Sequence, residues 1–123
     1  MIGKICKAHT PYYNAKLRRM AFKSRPALVL ARADTNDFVV LPVSTITHKE
    51  NIDPVYDVPI DPSIYPNTNL LQVSYVRTHK QTTVHEAELT GVICDLKHEY
   101  PDLYIEILDK RESFSQEITN QAL

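Results

Sequence analysis

A chain of 123 residues suits one domain with a modest core. Its two cysteines, Cys6 and Cys94, lie far apart in apolar runs and lack metal-type spacing, which excludes a disulfide framework or a zinc pattern. The formal net charge of −1 hides a polarity: residues 1–32 carry eight Lys or Arg and no acid, so a basic face can meet a phosphate backbone or pair with the acidic remainder of the fold.

Ile2 to Ala8 alternates apolar and polar residues, which predicts an outer strand. His9 to Ser24, with Pro11, Tyr12, Tyr13, Asn14 and a basic cluster, has no clean periodicity and reads as a long loop anchored by Leu17 and Met20. Loops of more than about 12 residues in compact domains tend to be functional. Arg25 to Arg32 and Phe38 to Val43 are apolar runs joined by the turn formers of Ala33 to Asp37, so they predict a buried hairpin. Antiparallel pairing then brings Arg25, at the start of the first run, beside Ser44, at the end of the second, as an anion site.

Ser44 to Asp53 is a polar loop. Val55 to Ile60 predicts a weaker strand, which Pro59 confines to an edge. After the Pro-, Asn- and Ser-rich turn of Asp61 to Asn69, Leu70 to Arg77 alternates, with Leu71, Val73 and Tyr75 expected on one buried face. Thr83 to Glu88 resembles a helical turn, and Leu89 to Cys94 a final strand with Gly91 where backbone approaches closely. From Asp95, Leu96, Tyr100, Leu103, Tyr104, Ile107 and Leu108 fall on helical spacing, the stripe of an amphipathic helix laid on the sheet. Pro101 would cost about 3 kcal/mol inside a helix, so the helix starts there or is kinked. The class is mainly β with α covering (α+β), one domain over residues 1–111, and a polar, frayed tail over 112–123.

Several chemistries are excluded. Glycine occurs only at 3 and 91, so there is no Gly-rich phosphate loop. Neither His85-Glu86 nor His98-Glu99 has the spacing of a metal site. No run reaches transmembrane length, and Lys4, Lys7, His9 and Pro11 interrupt any signal-peptide core, so a cytoplasmic protein without membrane contact is expected.

Lys23-Ser24-Arg25-Pro26 before a strand, then Val39-Val40-Leu41-Pro42-Val43-Ser44 at the end of the next, resembles the core signature of the MazF/PemK (Kid-type) toxins of toxin–antitoxin systems. The resemblance continues at Ser74-Tyr75-Val76-Arg77-Thr78, where the family often carries Asp-Gln-x-Arg-Thr, and at Leu89 to Ile93. It implies a small SH3-like or CcdB-like barrel sheet with a C-terminal helix. It also implies a metal-independent, cofactor-free, sequence-selective endoribonuclease of single-stranded RNA, mainly mRNA. The partners implied are a second copy of the chain, with RNA across the dimer interface, and an acidic antitoxin.

On that resemblance Arg25 stabilises charge on the phosphate oxygens, as a planar guanidinium binding two at once does best. Ser44, where the family usually has Thr, or Thr45 positions the phosphate; both also suit plain strand termination. Lys23, Arg19, Arg77, His79 and Tyr75 are the expected substrate contacts, with Arg77 open to pairing with a carboxylate instead. Tyr12, Tyr13 and Tyr75 suit stacking on bases or anchoring of the fold. Where some members place a carboxylate base this chain has Ser74, and Gln72 stands where they carry an additional Arg. His9, His48 and His79 are the candidate replacements for the base.

Three rival readings accompany this one. The first is a catalytically weakened relative that only binds RNA or its antitoxin. The second is a gyrase-poisoning toxin like CcdB, which relies on a Trp-Gly-Ile ending where this chain has no Trp and ends in Gln-Ala-Leu. The third is an unrelated small β-domain.

Overall fold

The structure, a computed structural model, describes residues 1–123 apart from the side chains of Thr10, Pro11 and Tyr12. Seven strands form one antiparallel, curled sheet: β1 (Lys4–Asn14), β2 (Arg19–Arg32), β3 (Asp37–Ser44), β4 (Asp57–Ile60), β5 (Ser74–Arg77), β6 (Thr82–His85) and β7 (Leu89–Asp95). The order is β4-β5-β3-β2-β1-β7, with β6 also on β3. One edge of β3 is thus shared: β5 pairs with Val43 and Ser44, and β6 pairs with Asp37 to Val40. That split and the register shift between Val29 and Ala31 of β2 accompany the curl of the sheet into a half-barrel.

A short helix and a long one follow, α1 (Leu96–Glu99) and α2 (Pro101–Ala122). Asp95 caps the first, its Oδ1 accepting from the His98 N–H at 3.2 Å. Pro101 stands at the first position of the second, where its missing N–H costs nothing, so the helix starts there rather than kinking. Gly3, at φ +83°, lets β1 begin hard against α1: a Cβ there would lie 2.6 Å from that of Lys97, and the Gly3 carbonyl accepts the Lys97 N–H at 3.0 Å.

Alternation along the central strands builds two separate cores. Ile5, Leu28, Leu41, Val43 and Val76 face α2 and pack against Leu103, Tyr104 and Ile107. Cys6, Ala8, Ala27, Val29, Phe38 and Val40 form a second, smaller cluster on the opposite face, flanked by Val84 and Leu89. Full burial of each large aliphatic residue contributes about 1.5–3 kcal/mol, so the helix-covered cluster carries most of the stability.

The expected barrel-like sheet with a covering helix is what forms, and several local expectations change. The stretch 9–24 is not a loop: β1 and β2 continue as a regular two-stranded ribbon to Asn14 opposite Arg19, closed by a turn with Arg18 at φ 51° and Asn14 Oδ1 accepting from the Lys16 and Leu17 N–H groups. β1 is not an outer strand, because β7 covers its other side. Pro59 does hold β4 at an edge. The phase predicted before Arg77 is inverted: Ser74 and Val76 are buried, Tyr75 is half-buried and Leu71 is 95% exposed, since the strand begins only at Ser74. Thr82 to His85 is a strand followed by a single 3-10 turn rather than a helical turn throughout. A Cβ on Gly91 would meet nothing within 4 Å, so close approach is not its reason. Nor does the chain fray at Glu112: α2 runs to Ala122, held partly by Phe114, whose ring packs edge-on against Tyr56 at 5.0 Å.

Candidate functional site

The site follows from strand parity. Ala27 pairs with Pro42, and both share a face with Val40, away from α2. Two residues further along each strand, on that same face, stand Arg25 and Ser44. Arg25 is exposed, Ser44 is half-buried, and together they line three adjoining cavities.

The largest cavity, about 510 Å³, is a cleft over the sheet floored by Ala8, Ala27, Val40 and Pro42 and walled by Thr82, Thr83 and Val84. A second, about 380 Å³, is polar and adds Thr45, Thr47, Asn51 and Arg77. A third, about 280 Å³, adds Pro26, Val43 and Ser74. No Asp or Glu lines any of the three. Among the described residues no carboxylate lies within ion-pair distance of Arg25, so its guanidinium meets these cavities with its charge uncompensated. Such a group binds an anion through paired N–H donors.

Arg77 is committed differently. It is the register partner of Asp57, whose side chain is fully buried; Arg77 Nε donates to Asp57 Oδ1 at 3.1 Å and Nη2 to Oδ2 at 3.4 Å and to the Asn51 carbonyl at 3.2 Å. The expectation left open for Arg77 resolves toward a carboxylate, yet the residue still borders the polar cavity with Arg25 and Ser44. Asp57 Oδ2 also accepts the Asp53 N–H at 2.7 Å. Asp53 in turn accepts from the Val55 and Tyr56 N–H groups, and that of Tyr56, above all, holds its carboxyl below the usual range.

Of the other expected contacts, His79 is not brought to Arg25. Its Nδ1 lies 3.8 Å from Asp57 Oδ1, and its ring packs against Tyr56 and Phe114 in a separate cavity under α2. His48 lies by Glu50 at 3.8 Å, outside these cavities, whereas His9 borders the large cleft but pairs with Ser24, a register that sets its side chain on the face opposite Arg25. Thr45 is exposed and lines the two smaller cavities. Tyr75 pairs across from Ser44.

Arg19 and Lys23 lie on the ribbon, at the same strand parity as Arg25. The other parity of the ribbon carries exposed apolar side chains: Tyr13, Met20 and Phe22 are 61%, 58% and 65% exposed. The side chain of Tyr12 lies outside the described residues. Asp57, Asn51, Thr82, Thr83 and Val84 escape the sequence reading, and only the lone acid opening β4 gave any signal, as an unpaired charge in an otherwise apolar strand.

Among the described residues no three His, Cys, Asp or Glu side chains converge to hold a metal ion, and no helix is long and apolar enough to cross a membrane. Burial raises both thiols, Cys94 up to about 11, so neither is a poised nucleophile.

Comparison with known proteins bears on the fold and the family. The Mycobacterium tuberculosis toxin MazF-mt6 has a similar fold, with a TM-score of 0.57 at 22% identity over 89% of this chain and 96% of that one. No curated protein sequence matches the chain. The family model of the PemK-like, MazF-like toxins of type II toxin–antitoxin systems matches residues 10–106, which span both arms of the Arg25–Ser44 site. The chain belongs to that toxin family.

Proposed function

We propose that this toxin is an endoribonuclease that cuts single-stranded RNA, mainly mRNA, at a short sequence motif by attack of the 2′-hydroxyl on the adjoining phosphorus. The observation that carries the reading is the uncompensated Arg25 guanidinium beside the Ser44 hydroxyl, in a set of cavities that no carboxylate lines. In the reaction the 2′-oxygen–phosphorus bond forms and the bond from phosphorus to the 5′-oxygen breaks. A 2′,3′-cyclic phosphate and a 5′-hydroxyl result. Charge builds on the non-bridging oxygens, where Arg25 donates two parallel hydrogen bonds; preorganised donors of this kind contribute about 10²–10³ in rate. Ser44, or Thr45 next to it, holds the phosphate in line. The 2′-hydroxyl proton passes to water, because His9 borders the cleft while its pairing with Ser24 turns its side chain to the face opposite Arg25. Water returns one to the leaving oxygen.

The protein acts in the cytoplasm as a homodimer, with RNA across the dimer interface. A separately encoded acidic antitoxin covers the basic face, its carboxylates standing in for phosphates. One observation favours a second reading, a relative that binds RNA without cutting it: the position of Ser74 supplies no carboxylate base, and none lines the cavities.

The test is cleavage of a long single-stranded RNA by purified protein in EDTA, with ends mapped, for wild type and Arg25→Ala. Cuts at one recurring motif, reduced at least about a hundredfold in the variant, are expected. Intact RNA in the presence of well-folded wild type overturns the nuclease, and a gel shift that depends on Arg25 then establishes the binding-only reading.

A further inference from the structure

The large cleft has more structure than a phosphate needs. Its floor is built from the small or compact side chains Ala8, Ala27 and Pro42 with Val40, its far wall from β6, and its only charged groups stand at one end. The register fixes which β6 residues face it: Thr82 pairs with Val40 and Val84 with Phe38, both on the face turned away from α2, so the Thr82 side chain stands over the cleft beside that of Val84. Thr83, partnered with Val39, points the other way and contributes backbone. From Ser44 to Val40 is four residues of strand, roughly 13 Å at the usual rise. That is the reach of one nucleotide from its phosphate to the far edge of its base.

We propose that this cleft receives a single unstacked nucleobase, the one next to the phosphate held by Arg25 and Ser44, and that Thr82 selects it. This rests on the RNA-cleaving reading above and adds to it the residues that set the recognised base. A nucleobase has an apolar face and a polar edge. The floor of Ala8, Ala27, Val40 and Pro42 matches the first, and the Thr82 hydroxyl, donor and acceptor at once, matches the second. No carboxylate repels the neighbouring phosphate, and the cation sits where the phosphate must lie. Because alanines make the floor, the depth of the cleft is set by side chains that can be enlarged one at a time.

The experiment uses the single-stranded RNA mapped as cut in the assay above, with 2′-deoxyribose at the scissile nucleotide so that it binds intact, and with the base removed from one nucleotide at a time. Affinity is measured for wild type, for Ala27→Val, which raises the floor, and for Thr82→Phe, which fills the cleft from its exposed edge; each variant is first checked for an unchanged thermal unfolding midpoint. Removal of one base beside the scissile phosphate is expected to weaken wild-type binding at least tenfold, and less than twofold in either variant. Should Ala27→Val fail to fold, the exposed Thr82→Phe carries the comparison. The proposal is overturned if no single position stands out in the wild type, as happens when the cleft takes an apolar side chain of a protein partner, or if the same position stays tenfold sensitive in Thr82→Phe. RNA that is cut and bound with no sensitive position leaves the nuclease reading standing. Wild type that neither cuts nor binds single-stranded RNA overturns both.

Discussion

Asp57 and Arg77 are register partners on β4 and β5, and the carboxylate of the first, fully buried, holds the guanidinium of the second at 3.1 Å on the rim of the site. Removing one member of a buried pair leaves the other uncompensated, at a cost of about 3–5 kcal/mol in fully buried cases. Arg77 keeps 23% of its side chain in solvent, which lowers the expected loss for Asp57→Asn to about 2–3 kcal/mol. Urea unfolding checks this; a midpoint equal to that of wild type would mean the pair is ornamental.

Arg25 lies at the other extreme, exposed and without a carboxylate partner among the described residues. Arg25→Lys keeps the charge and loses the planar fork, so RNA cleavage is expected to fall about tenfold or more while the unfolding midpoint stays put. Full activity in the Lys variant would show that charge alone suffices there.

The hydroxyl at Ser44 separates in the same way. Ser44→Thr keeps it and is expected to cut RNA within about threefold of wild type, whereas Ser44→Ala is expected to lose about tenfold, in line with one hydrogen bond of 1–1.5 kcal/mol. Equal rates for the Ala and Thr variants would transfer the role to Thr45, and Thr45→Ala would then show the loss.

Phe114 joins the second half of α2 to the sheet through Tyr56 and His79. Its ring is half-buried, so Phe114→Ala is expected to destabilise by about 1–2 kcal/mol, below the 3–5 of a fully buried ring. The last turns should then exchange amide hydrogens fastest; unchanged protection would assign the helix to its own propensity.

Stability should fall at both ends of the pH scale. Burial pushes Cys94 up to about 11 from an ordinary 9.0 and raises Cys6 and Tyr104 as well. Above about pH 9 the unfolded chain loses protons that the folded one keeps, so stability that is full below that value declines as pH rises toward 11. Asp53 acts in the opposite sense: the Tyr56 N–H, above all, depresses its carboxyl below 3.8, so its contribution is present above that value and is lost as pH falls through it. Urea midpoints across the range test both, and a midpoint still rising between pH 9 and 11 contradicts the first.

The sequence reveals most where burial is one-sided or a residue is conformationally restricted. The Arg25–Ser44 hairpin was legible from two apolar runs and a turn, Pro59 marked an edge and Pro101 a helix start. The ribbon of 9–24 was not, because it projects past the sheet and its described side chains are largely exposed on both faces, so they carry no alternation of burial. Leu71 and Val73 misled for the same reason in reverse, as exposed apolar residues outside any strand. Within the site, Arg25, Ser44, Thr45 and Arg77 could be found by motif. Asp57 could not, twenty residues from its partner, and Thr82 and Val84 reach the cleft only because β6 happens to share an edge of β3 with β5.

The parity of β2 has one more outcome. Leu28 belongs to the core that α2 covers, while Arg25, Ala27 and Val29 look the other way. Substitution at every second position of this strand therefore falls on the cleft and the smaller cluster beneath it, and is uncoupled from the packing under the helix.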